Sequence, residues 1–413
     1  MSMYFSSLPV IDTHEHIGFV YKWRPEVMGL LHLCLESHYM MASIASADAK
    51  AAGHEWQDEG ISPWHEAIEA KGILSPESYE ASMHWIIDRI PLIAQTSDWK
   101  AFQYTLRDLF GMEDFVLTRE NWRAIDERVR EKYHDREAWH REILERAAVK
   151  TAFWCYGKPL LAPPCRGVLD IAGFANHPRA KVQSAAELRA AFDAYVANAV
   201  ADYNPVSMKV GFAYYRNIAI APAPEGDVDA ALASLSPEAP LRQSRLVDDF
   251  IHGEAARVSA ERSLPLQVHT GTLAGNAYET PLGGSYAVNL EPFITRHPGA
   301  KFDIFHGSFP QWGEAVTLAR KYPNVYLNMC WVPTLSESMA RSMLSAALDA
   351  VPINKILFGG DAHSPEMAYG IVVLFREILA DVLARRAAPP KLMRGAAEWI
   401  LHRGASELYR ISI

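Results

Sequence analysis

From residue 150 onward the chain alternates short apolar runs with longer helical stretches, and no other feature narrows its fold so far. Apolar runs fall at 151–155, 206–210, 264–269, 301–306, 324–329 and 355–361, with a less defined one near 168–172. Between and after them, 185–200, 241–262, 293–296, 311–321 and 336–348 carry helical periodicity, and further helices fill 366–410. Runs that are apolar on both faces suit parallel strands covered by helices. With an opening run at 8–13 the strands number eight, which favours a closed (β/α)8 TIM barrel over an open doubly wound sheet. No Gly-x-Gly-x-x-Gly follows any strand, so the usual reason to prefer a dinucleotide fold is missing.

The first two strands are far apart. Residues 19–145 hold almost no strand-like run and are rich in Trp, His and charge. Turn signals such as Gly60-Ile61-Ser62-Pro63 and Gly72-Ile73-Leu74-Ser75-Pro76 punctuate helical stretches. Ser75-Pro76-Glu77-Ser78 reads as a helix start, a serine cap with proline in the first turn. Thr118-Arg119-Glu120-Asn121 opens another helix, to about Lys132. The expected organisation is a barrel over 1–18 and 146–413, distorted by a helical insertion over 19–145. The first βα loop emerges on the catalytic face, so the insertion is expected to cover it. Its tryptophans (Trp23, Trp56, Trp64, Trp85) read mainly as core, some as a roof. His54 and His65 beside them read as packing or pocket wall. His32 and His38, six apart, would not share a helix face well.

Composition excludes several classes. The net charge of −9 lacks the basic excess of a general nucleic-acid surface. No apolar run approaches the length of a membrane span. The opening Met1-Ser2-Met3-Tyr4-Phe5 is not a basic region followed by a long apolar core. Cys34, Cys155, Cys165 and Cys330 form no Cys-x-x-Cys pair, which suits a reducing compartment and argues against a cysteine zinc site. A cytoplasmic protein acting on a small molecule is expected. Oligomeric state is not legible, homodimers being the commonest default among homo-oligomers.

Strand ends carry the chemistry. Val10-Ile11-Asp12-Thr13-His14-Glu15-His16 closes the first strand, and alternation puts His14 and His16 on one side with Glu15 on the other. His269 ends the fifth strand, His306 the sixth and Asp361 the eighth. Any one of these reads equally as a capped strand end or a satisfied polar core residue. Together they would meet on the face where strand C-termini converge. Three neutral imidazoles and a carboxylate suit a divalent transition metal, zinc first, with manganese or iron as alternatives. His14, His16 and His269 are expected as ligands, with Asp361 at the metal holding a water and taking its proton. His306 would polarise the substrate oxygen. His363, two beyond Asp361, and Asn328, ending strand seven, could orient these groups.

This constellation resembles the amidohydrolase superfamily, and within it the amidohydrolase-2 group of metal-dependent hydrolases. The likeness rests on Ile11-Asp12-Thr13-His14-Glu15-His16, on the histidines closing strands five and six, and on Gly359-Gly360-Asp361-Ala362-His363. It covers 8–18 and about 150–410, and implies a distorted barrel with the metal roles just given. The group includes decarboxylases and lactonases, and the long insertion is similar to that of uronate isomerases of the same superfamily. Resemblance also marks Lys209 near the end of strand four. It could be carbamylated and bridge a second ion, as in the binuclear branch, or pair as an amine with a substrate carboxylate or a nearby acid. The run from Lys209 through Tyr214-Tyr215-Arg216 resembles a Lys…Tyr-Arg segment of the group. Tyr215 and Arg216 are therefore candidate substrate contacts, the plainer alternative for Arg216 being a surface ion pair.

The expectation is a metal-dependent hydrolase acting on an amide, lactone or related carbonyl of a small carboxylate-bearing substrate. Decarboxylation of an aromatic acid and isomerisation of a uronate are alternatives on the same residues. A metal-containing binding protein without turnover would not require His306 and Asp361.

Overall fold

The computed structural model describes residues 5–47, 74–113, 115–161, 164–274, 280–386 and 388–413. Its strands are β1 (Val10–Glu15), β2 (Val149–Trp154), β3 (Cys165–Gly167), β4 (Leu169–Asp170), β5 (Met208–Val210), β6 (Leu266–His269), β7 (Phe302–Phe305), β8 (Val325–Asn328) and β9 (Ile356–Leu357). All ladders are parallel, running β1-β2-β3 and β4 through β9 in order. β3 and β4 are halves of one strand broken at Val168, whose N–H turns to the Trp154 carbonyl at 3.1 Å. Eight strand positions result, as the alternation of apolar runs implied.

The ring closes where β1 meets the segment after β9. Thr13 N–H donates to the Phe358 carbonyl (3.2 Å), Asp361 N–H to His14 (2.8 Å) and His16 N–H to Ala362 (2.8 Å). Every residue of β1 is buried, as befits a strand packed on both faces. The architecture is a (β/α)8 barrel.

Serines start several of the outer helices. The side chains of Ser184, Ser244, Ser336 and Ser364 accept backbone N–H groups at the starts of Ala185–Tyr203, Arg245–Arg262, Glu337–Ala350 and Pro365–Arg385. The stretch 241–262, expected as one helix, divides at Ser244, which leaves Leu241–Gln243 as a separate turn. A helix at Glu225–Ser234 was not legible, because its alanine-rich sequence has little periodicity.

The insertion is helical where described: Leu30–Glu36, His38–Ala47, Pro76–Ile87, Ser97–Phe110, Trp122–Lys132 and Arg136–Arg146, with a short turn of helix at Ile90–Ile93. Ser75 caps its helix as expected, accepting from Ser78 N–H. Thr118 accepts from the N–H groups of Glu120 and Asn121 just ahead of Trp122. Trp56, Trp64, His54 and His65 lie outside the described residues, as does the turn at Gly60. Among the described residues no helix is long and apolar enough to cross a membrane.

Candidate metal centre

β1 delivers two imidazoles to one point. His14 Nε2 and His16 Nε2 are 3.1 Å apart, and Asp361 Oδ1 lies 3.3 Å from the first and 3.1 Å from the second. Asp361 reaches there from a left-handed backbone, φ 68°, in the segment after β9. An ion bonded to nitrogen and oxygen donors at about 2.0–2.1 Å holds neighbouring donors about 3.0–3.4 Å apart. The three atoms fit that requirement, so the donor set suits a divalent metal.

A second pair of donors faces itself. His269 Nε2 is 2.9 Å from the Thr272 carbonyl, His306 Nδ1 is 3.2 Å from the Cys330 carbonyl, and His269 Nδ1 is 3.1 Å from His306 Nε2. Carbonyls only accept, so each imidazole spends its single N–H on its own carbonyl. Nδ1 of His269 and Nε2 of His306 are then two lone pairs in contact, an arrangement that calls for a cation. The sequence grouped His269 with His14 and His16. In the structure its hydrogen-bonding contacts are to Thr272 and His306.

Electrostatics keep these donors ready. Burial, with Lys209 nearby, holds His14 well below the usual imidazole value and lowers His269 to about 3. His306 is likewise lowered by burial and by His269. Burial alone would raise the Asp361 carboxyl, but hydrogen bonds to His14 and His16, with His306 close by, hold it well below the carboxylate range. The other oxygen, Oδ2, accepts the Tyr39 hydroxyl at 2.7 Å. Tyr39 belongs to the insertion and stacks on Trp331, ring centroids 4.4 Å apart.

Lys209, on β5, is buried with Nζ 3.4 Å from His14 Nε2 and 4.5 Å from the centre of the Phe305 ring. Arg216 sits elsewhere in the network. Its fork meets protein carboxylates, Nε to Asp248 Oδ2 at 2.5 Å and Nη2 to Asp249 Oδ1 at 2.8 Å, and all three side chains are nearly inaccessible. The fork expected for a substrate is thus taken by an internal ion pair. Tyr215 carries the Arg242 guanidinium over its ring at 4.6 Å, and its buried hydroxyl has no hydrogen-bond partner among the described residues. Asn328 points into the barrel, donating to Thr13 Oγ1 and Asp303 Oδ2 at 2.8 and 2.9 Å. His363 stands 5.7 Å from the His16 ring and 4.7 Å from Phe19. His32 and Trp23 pack together in the core, ring centroids 5.1 Å apart.

Sequence reasoning missed Tyr39, which no strand rhythm marks, and two cysteines. Cys155 gathers with ring nitrogens of His14 and His16, and Cys330 with His306 and Asp361, each set of donor atoms within 4.8 Å. Without a Cys-x-x-Cys spacing neither thiol stood out. Burial pushes the Cys155 thiol up to about 12.

Known proteins share this architecture. A family described as Amidohydrolase matches residues 167–411. Protein fluG of Emericella nidulans is 28% identical over 241 residues, 54% of this chain and 27% of that protein, so the chain spans about a quarter of that relative's length. Glucuronate isomerase from Caulobacter crescentus superposes with a TM-score of 0.74 at 15% identity, covering 100% of this chain and 93% of that one. Uronate isomerase from Thermotoga maritima gives 0.70 at 14%, covering 99% and 96%. At these identities the structural likeness speaks for the fold. With more than half of its length matched by the family and a barrel of the same kind around the site, the chain belongs to the amidohydrolase family.

Proposed function

We propose that the protein is a metal-dependent hydrolase that adds water to the carbonyl of an amide, lactone or related small substrate. The observation that carries this is the triangle of His14 Nε2, His16 Nε2 and Asp361 Oδ1, with sides of 3.1 to 3.3 Å. These three would hold one ion, and with Lys209 carbamylated the facing lone pairs of His269 and His306 would hold a second. A divalent ion there supplies a Lewis acid and lowers the pKa of water toward neutrality. Asp361, anionic and fixed by Tyr39, takes the proton of the attacking water and returns it to the leaving group. Lys209 has two roles open to it: carbamylated, it bridges the two positions; as an amine, it meets the substrate carboxylate now that Arg216 is engaged. Zinc suits the imidazole-rich set best.

A second reading is favoured by Tyr39. Aldose–ketose isomerisation moves a proton between neighbouring carbons and needs an acid and a base side by side. The Tyr39 phenol against the Asp361 carboxylate is such a pair, and the fold matches uronate isomerases over nearly the whole chain.

Asp361→Asn decides whether the carboxylate is the base. Turnover is expected to vanish while most of the metal stays bound, and activity near wild type removes Asp361 from the reaction. Product mass then separates the readings, since hydrolysis adds one water and isomerisation leaves the mass unchanged.

A further inference from the structure

Tyr156 is the most exposed phenylalanine, tyrosine or tryptophan among the described residues, 54% open, yet it stands just beyond β2 at the rim that carries the metal centre. Its ring lies 5.3 Å from that of His16, centroid to centroid. The backbone beneath is left-handed, φ 68°, an unfavourable conformation for a bulky side chain. Amides on either side pin it there: Cys155 N–H donates to the Glu15 carbonyl at 3.0 Å and Gly157 N–H to the Val168 carbonyl at 2.9 Å. A ring this open recovers little of the strain by burial, so packing within the chain does not account for its position.

Other rings stand with it. Phe19 and His363 both lie 5.7 Å from the His16 ring and 4.7 Å from each other, and Tyr214, after β5, sets its ring 4.8 Å from His269. Burial, with Cys155 and Tyr214 close by, raises the Tyr156 phenol well above its usual value. A ring half open to solvent and yet so enclosed lines a concavity, which Tyr214 shares. Polar groups are sparse on these rings: Phe19 offers none and each tyrosine a single hydroxyl, too few to hold a polyhydroxylated chain. We propose that Tyr156 is a specificity-determining residue, its ring stacking on a flat aromatic group of the substrate, which is thus an aryl-bearing amide, lactone or related carbonyl compound. Ring pairs of this kind favour offset or edge-to-face contact with centroids about 4.5–7 Å apart. The assignment rests on the hydrolase reading given above, which puts the reacting carbonyl at the ion.

Hydroxamates chelate a metal ion through two oxygens and need no turnover, so they test the subsite directly. On zinc-loaded protein, benzohydroxamate and cyclohexanecarbohydroxamate place a flat and a puckered ring of similar size on one anchor. The ratio of their affinities should fall about threefold to tenfold in Tyr156→Ala and be kept in Tyr156→Phe. A ratio unchanged in Tyr156→Ala, or lost equally in Tyr156→Phe, overturns the stacking role. Saturation-transfer NMR on metal-free wild type gives a second arm, independent of zinc and of how the variants fold. Transfer should reach the ring protons of benzamide and hardly touch cyclohexanecarboxamide, and equal transfer to both overturns the proposal. Should neither hydroxamate bind while benzamide still receives transfer, the metal reading falls and the aromatic subsite stands.

Discussion

Proton counting at single residues says what the centre is prepared for. His269 is neutral down to about pH 3, His14 and His306 are held well below 6.5, and Asp361 is ionised below the usual carboxylate range. Metal uptake ordinarily releases protons, because ligands must be deprotonated first. Here these ligands are already deprotonated at neutrality. Calorimetry in buffers of differing ionisation enthalpy should find close to zero protons released by these groups at about pH 7. The sign for the apoprotein follows: a lowered imidazole pKa means the unfolded chain binds more protons, so this stability is full above 6.5 and drains away as pH falls toward the folded value. Imidazolium NMR signals from His14, His269 or His306 in the metal-free protein at about pH 7 would contradict the assignment. Lys209 yields a second count. If it is carbamylated and bridging, wild type should hold near two equivalents of metal and Lys209→Met near one; one equivalent in both makes it an amine. The sequence showed which residue types end the strands. It could not show that His269 faces His306, because that pairing depends on the Thr272 and Cys330 carbonyls, and backbone groups carry no sequence signature.

At the scale of elements the site joins β1, the ends of β6 and β7, the segment after β9 and a helix of the insertion. The strand part was legible, since period-two alternation and apolar runs fix which face each residue takes. The insertion's part was not. Tyr39 lies in His38–Ala47, a helix whose sequence resembles any buried helix, and its hydroxyl meets Asp361 across 322 positions. Arg216 shows the opposite failure. A lone arginine after a strand is a fair candidate for anion binding, but the adjacent Asp248 and Asp249 on Arg245–Arg262 neutralise it, and that contact spans an intervening helix. Tyr39→Phe keeps the stack on Trp331 and removes only the donor to Asp361 Oδ2. The expected result is a fall in kcat of about tenfold to a hundredfold with thermal stability nearly unchanged. Equal kcat in the variant would make Tyr39 a wall of the pocket and nothing more.

The whole molecule is tied together along one helix. Pro365–Arg385 starts just after Asp361 and also receives the insertion: Tyr133 and Trp139 both donate to Glu366 Oε1 at 2.9 Å, and the Thr105 hydroxyl donates to the Glu366 carbonyl at 2.7 Å. Burial raises the Glu366 carboxyl, so this anchor sits in a dry interface between barrel and insertion. One turn further on, the helix passes Ser97–Phe110 so closely that a Cβ on Gly370 would lie 2.1 Å from the Ala101 carbonyl oxygen and 2.6 Å from Thr105 Oγ1. Backbone cannot retreat as a flexible side chain can, so Gly370→Ala must push the two helices apart. The cost is expected at about 1–3 kcal/mol, read as a lower urea midpoint at unchanged slope. Because the displaced helix begins four residues after Asp361, metal affinity should fall in the same variant, although residue 370 touches no ligand. An unchanged midpoint would show that the helices slide freely. A lowered midpoint with wild-type metal affinity would show that the insertion stabilises the barrel without setting the position of Asp361.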